Sequence, residues 1–162
     1  MAEIILRFVQ GEQWESLAIE WREAVAMPIT PSHVECVTPA GKYLGQHASG
    51  GMLAREPGYD AGTFAAEFFW HLPVEQEQTD AFYEYMESSI GEPYDWQAIA
   101  GFVMPSNLMH LHLKFHAICS AKVGLGLRHK DCVFRWPVAA PWHLVDPRDL
   151  MLMLSAIYPI PL

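Results

Sequence analysis

The chain has 162 residues, 51% of them hydrophobic and 18% charged, long enough for a substantial core and too apolar for a disordered segment. Ten Lys and Arg against 19 Asp and Glu give a formal net charge of −9, which argues against a nucleic-acid partner or an anionic membrane surface. Cys36, Cys119 and Cys132 are an odd set without close spacing, so no disulfide framework is expected. No basic-flanked apolar leader opens the chain, so no signal peptide is read, and no apolar run reaches the roughly 20 residues of a spanning helix. A single domain over 1–162, made in the cytosol and without a transmembrane segment, is the expectation.

Glu3 to Val9 alternates as a first strand, and Trp14, Leu17, Ala18, Trp21 and Val25 share one helical stripe that Pro28 and Pro31 end. His33 to Thr38, Lys42 to His47 and Met52 to Arg55 follow as short strands. The joints Pro39-Ala40-Gly41 and Ser49-Gly50-Gly51 make them an antiparallel meander. Phe64 to Leu72 is a further strand, and after Pro73 a helix is expected from about Val74 to Ile90, stopped by Gly91. Asp95 to Met104 reads as a shorter helix broken at Pro105, and another begins at or just before Cys119 and runs to about Arg128. Asp146 followed by Pro147 starts the last helix, which carries Leu150 to Ile157. No internal repeat or composition shift marks a domain boundary. The fold class this predicts is α+β, a small antiparallel sheet packed against helices.

Cys119 at a helix start has its anionic form favoured by the free N–H groups of the first turn, and an imidazole nearby can take its proton. His33 and Glu35, two apart on a strand, point to one face, where the carboxylate can orient the imidazole. A bland reading stands beside this one: a small buried cysteine, and a His and Glu on an edge strand facing water. His110, His112, His116 and Cys119 offer a rival imidazole and thiolate set for zinc, although Leu111, Leu113 and Phe115 between them fit a half-buried extended segment. His71, His129 and His143 have no partner pattern. Neither a Gly-x-Ser-x-Gly elbow nor a glycine-rich phosphate loop is present.

Gly91-Glu-Pro-Tyr-Asp-Trp96 followed by Ile118-Cys-Ser-Ala121 resembles the Gly-x-Pro-Tyr-x-Trp and Asp-Cys-Ser-Gly motifs of NlpC-type papain-like cysteine peptidases. Ser-His-Val-Glu-Cys-Val with the Gly-Lys-Tyr-Leu and Gly-Gly-Met that follow is similar to that family's histidine strand and hairpin. Here the histidine precedes the cysteine, as in the circularly permuted, YiiX-like branch with its phage and prophage members. The resemblance implies a permuted papain-like fold with Cys119 as nucleophile, His33 as general base, Glu35 as orienting third residue and Tyr94 as an active-site tyrosine. His47, on the next strand with the right parity, is the rival third residue. Ile118, Ala121 and Gln97-Ala98 depart from the family's residues at their positions. The activity implied is thiol acyl transfer without a cofactor or metal, on a peptide amide of peptidoglycan, in a phage tail or lysis setting, with tail proteins as partners and a virion-associated location. Two alternatives accompany it: a lecithin retinol acyltransferase-like enzyme acting on a lipid or other acyl ester, and a non-catalytic phage structural or tail-assembly protein.

Overall fold

The computed structural model of the chain describes residues 2–11, 31–96, 118–134, 142 and 145–159. Among them are five strands, β1 (Ala2–Gly11), β2 (His33–Val37), β3 (Tyr43–His47), β4 (Gly51–Arg55) and β5 (Phe64–Val74). Three α-helices accompany them, α1 (Gln76–Ser88), α2 (Cys119–Arg128) and α3 (Pro147–Ser155). The strands form one antiparallel sheet in the order β4-β3-β2-β1-β5. The α+β class and the meander of β2, β3 and β4 are those the alternation predicts. The helix expected from Trp14 to Val25, and all but the first residues of the one expected from Asp95 to Met104, lie outside the described residues. No helix among the described residues is long and apolar enough to cross a membrane.

Element ends differ from expectation where local chemistry allows it. β5 continues through Pro73 to Val74, because among the described residues it is an edge strand paired with β1 alone, where a residue lacking an N–H is tolerated. Helix α1 therefore starts later than expected, behind a capping box in which Gln78 Oε1 accepts from the Glu75 N–H at 2.9 Å. Asp146 caps α3 as its sequence predicts, its Oδ1 accepting from the Asp149 N–H at 2.7 Å with Pro147 in the first turn.

The two faces of the sheet are chemically different. Side chains alternate along a strand, so Ile4, Leu6 and Phe8 of β1 face the same way as Val34 and Cys36 of β2 and Trp70 and Leu72 of β5. All are buried in one core cluster with Phe82 and Met86 of α1, Val123 and Leu127 of α2, and Leu150 and Leu154 of α3. Each such side chain contributes about 1.5–3 kcal/mol, and this apolar layer holds the helices against the sheet. The opposite face is polar. There Arg7 lies across from Glu35, and Val9 across from His33. The connection from β4 to β5 brings Tyr59 and Asp60 onto that face, leaving Arg7 and Glu35 1% and 0% exposed.

Candidate active site

His33 opens β2 and Cys119 opens α2, and the packing of α2 on the sheet brings the two side chains into hydrogen-bond and charge contact. Burial pushes a thiol up: it is the largest influence raising Cys36, ahead of the charge of Glu35, and by itself it raises Cys132 to about 11. Cys119 is equally buried, and desolvation is again the largest single influence on it, yet its thiol is held below the ordinary value. The charge and hydrogen bond of His33, with backbone hydrogen bonds at Val34 and Ser120, outweigh the burial. Ile118 provides no side-chain cap to the first turn of α2, and within that turn the backbone of Ser120 hydrogen-bonds the sulfur. His33 is pushed up to about 10, burial opposing its proton and the Cys119 thiolate and Glu35 together prevailing. Each group thus favours the charged form of the other, the sulfur as the anion and the ring as the cation.

Glu35 stands behind the imidazole. Its Oε2 is 3.6 Å from His33 Nε2 and 3.4 Å from His47 Nε2, while its Oε1 accepts from Arg7 Nη1 at 2.6 Å. Burial, the largest influence, raises its carboxyl, but His33, His47 and Arg7 together hold it below the usual carboxylate range. Room for it comes from β3: a Cβ on Gly45 would lie 2.6 Å from Glu35 Cβ and 3.4 Å from its Oε2. His47 shares the site, its ring 5.1 Å from that of His33, and is pushed down to about 3 by burial and then by the charge of His33, so it is neutral. The Tyr59 hydroxyl donates to Glu35 Oε2 at 3.3 Å and lies 3.3 Å from His47 Nδ1. Of the two candidates for third residue, both are therefore present, with the carboxylate between the two rings.

Tyr94 lines a cavity of about 260 Å³ together with His33, His47, Arg55 and Tyr59. Its segment is pinned to the meander. Gln46 Nε2 donates to the Pro93 carbonyl at 2.9 Å, the Met52 N–H donates to the Glu92 carbonyl at 2.8 Å, and the Gly91 N–H donates back to Met52 at 2.9 Å. Gly51, at φ +75°, permits this approach, since a Cβ there would sit 2.1 Å from the Glu92 oxygen. From the helix side, Lys122 of α2 pairs with Glu92 and donates to Ser89 Oγ at 3.2 Å. The segment carrying Tyr94 is thus tied to both the histidine strands and the cysteine helix. Ser120 donates to the Val145 carbonyl at 2.6 Å, a bond that anchors α2 to the segment leading into α3.

The residues missed in the sequence are Arg7, Tyr59 and Asp60. Arg7 donates through Nε to Glu67 at 2.5 Å and through Nη1 and Nη2 to Asp60 at 2.9 and 3.1 Å, besides its bond to Glu35. The signal for it was there: a cation inside Ile-Leu-Arg-Phe-Val, a run otherwise apolar, has to meet carboxylates once the strand is covered. His33, Glu35 and His47 also lie close enough to ligate a metal, their ligand atoms within 4.8 Å of one another, although Arg7 already balances the Glu35 charge. The histidines of the rival zinc set, His110, His112 and His116, lie outside the described residues, as does His143. His71 pairs with Glu3 at 3.0 Å on the surface, and the ring of His129 lies 5.2 Å from that of Tyr85. No protein-family model, no curated protein and no solved structure matches the chain.

Proposed function

We propose that the protein is a cysteine hydrolase that cleaves an acyl bond through a covalent thioester, in a permuted papain-like arrangement. The observation that carries this reading is the placement of Cys119 at the start of α2 in hydrogen-bond contact with His33, with the Glu35 carboxylate 3.6 Å from the imidazole. In the proposed reaction the Cys119 sulfur attacks the carbonyl carbon, and the oxyanion is stabilised by the Cys119 N–H and the Tyr94 hydroxyl. The His33 imidazolium gives its proton to the leaving amine. Water, losing a proton to His33, then attacks the thioester and restores the thiolate, with Glu35 holding the ring throughout.

A peptide amide of peptidoglycan is the substrate favoured by the motifs around Tyr94 and Cys119, with a phage tail or lysis setting as its context. The test is incubation with purified peptidoglycan and, in parallel, with short-chain acyl esters, each with the unaltered protein and with Cys119→Ala. Release of new amino groups from peptidoglycan that depends on Cys119 supports the amidase. Turnover of the esters alone supports the lipid or acyl-ester reading instead. No turnover of either, with Cys119 alkylated no faster than Cys36 and Cys132, overturns the hydrolase and leaves the structural, tail-assembly reading.

A further inference from the structure

His47 and Glu35 present acceptors to one another. The Tyr59 hydroxyl has one hydrogen, which it donates to Glu35 Oε2, so from His47 Nδ1 it accepts. That assigns the hydrogen of the neutral His47 ring to Nδ1 and leaves a lone pair on Nε2. This lone pair lies 3.4 Å from Glu35 Oε2. His33 Nε2 approaches the same oxygen at 3.6 Å, and the three atoms lie within 4.8 Å of one another. Both Nε2 atoms are buried, and neither has a hydrogen-bond partner among the described residues. His47 is 8% exposed and Glu35 0%, and two acceptors aimed at each other at such depth repel unless a cation stands between them. The dimensions suit zinc: Zn–N and Zn–O bonds of about 2.0–2.2 Å set tetrahedral ligand atoms roughly 3.4 Å apart, and two imidazoles with a carboxylate are a donor set it takes. Arg7 leaves the position open, because it holds Oε1, the other oxygen of Glu35, and divides its guanidinium among Glu35, Asp60 and Glu67. Tyr59 on His47 Nδ1 and Arg7 on Glu35 Oε1 stand where the outer hydrogen-bond partners of metal ligands stand.

We propose that His33, Glu35 and His47 form a Zn²⁺ site, with water as the fourth ligand, and that filling it arrests the cysteine chemistry. Zn²⁺ takes a lone pair from each Nε2 and from Glu35 Oε2, and a proton carried by His33 Nε2 leaves to solvent. A zinc-bound imidazole holds its remaining N–H hydrogen more tightly than an imidazolium does, so His33 no longer supplies a proton to the leaving amine. The arrest rests on the cysteine hydrolase reading, whereas the site does not. Competition with a chromophoric zinc indicator measures the affinity of the full chain for Zn²⁺. His47→Gln is expected to lower it by more than about 100-fold, and Tyr59→Phe, which removes an outer partner, by about tenfold. Both variants are checked for folding by urea titration. On the unaltered protein, Co²⁺ in place of Zn²⁺ is expected to show the visible bands of a four-coordinate ion without a near-ultraviolet thiolate band. Cys119-dependent turnover of peptidoglycan or of acyl esters is expected to fall as Zn²⁺ fills the site and to return with a chelator.

A zinc affinity that a folded His47→Gln protein keeps within fivefold overturns the site while the hydrolase reading stands. A thiolate-to-cobalt band overturns these ligands in favour of a set that includes a cysteine. Turnover that persists with the site filled overturns the arrest and leaves the site. No turnover without zinc, with Cys119 alkylated by iodoacetamide no faster than Cys36 and Cys132, overturns the hydrolase reading and the arrest with it, and zinc binding lost in His47→Gln then still upholds the site.

Discussion

Replacing His33 with glutamine removes the imidazolium and leaves a polar side chain of similar reach. Cys119 then becomes a buried thiol without a counter-charge, the situation of Cys132, whose thiol is pushed up to about 11. At pH 7 such a thiol is ionised in about one molecule in 10⁴, whereas beside a protonated His33 the sulfur is held as its anion. The less acidic thiolate is the better nucleophile, with a sensitivity of about 0.4–0.5 per pKa unit, so over the two units from the ordinary thiol value of 9.0, which Cys119 lies below, up to about 11, roughly 6- to 10-fold of a roughly 100-fold loss of thiolate is recovered. The net expectation is a loss of at least about tenfold in the rate of Cys119 alkylation by iodoacetamide at pH 7. Peptide mass spectrometry of timed samples reads all three cysteines at once, with Cys36 and Cys132 as internal controls. The variant should regain rate only as pH rises well above neutrality. A His33→Gln protein that is folded by urea titration and still alkylates Cys119 within fivefold of the unaltered rate would refute the ion pair.

Three further outcomes follow from the polar face. Gly45→Ala places a Cβ 2.6 Å from Glu35 Cβ, so it should displace the carboxylate and cost about 1–3 kcal/mol in urea unfolding while also slowing Cys119 alkylation. Arg7→Met leaves Glu35, Asp60 and Glu67 without their shared cation, and a loss of about 3–5 kcal/mol is expected by the same measurement. His47 is held to about 3 when folded and protonates near 6.5 when unfolded, so the unfolded chain gains a proton first as pH falls from 6.5 towards 3. His47→Gln should therefore reduce the loss of unfolding free energy between pH 7 and pH 4.5, by on the order of 2 kcal/mol, and an unchanged slope would show that His47 does not stay neutral in the fold.

Local pattern made much of this legible. Alternation placed β1 through β5 within a few residues, the Asp146-Pro147 pair located α3, and the parity of His33 and Glu35 put imidazole and carboxylate on one face. What the sequence could not tell is pairing between strands distant along the chain. Arg7 meets Glu35 because β1 lies between β2 and β5, an order that no hydrophobic period encodes. Tyr59 and Asp60 sit in a connection whose composition marks a turn and says nothing of the face it will cover. Gly45 reads as a weak strand residue until Glu35 is found in the space it leaves. Non-local contacts of this kind decide the site, and they are the ones local propensity is blind to.

The order of parts along the chain carries a consequence for how the protein is made. Arg7, His33, Glu35, His47, Tyr59 and Asp60 all precede α1, and β2 to β4 pair through short turns. Synthesis runs from the N-terminus, so the sheet with its imidazole, carboxylate and guanidinium can assemble before residue 119 leaves the ribosome. Until α2 docks, the thiol is an ordinary one, mostly protonated and slow to react. A nascent chain ordered this way completes its charge-bearing half first and brings Cys119 to His33 last, so under the proposed function no activated cysteine is exposed during translation.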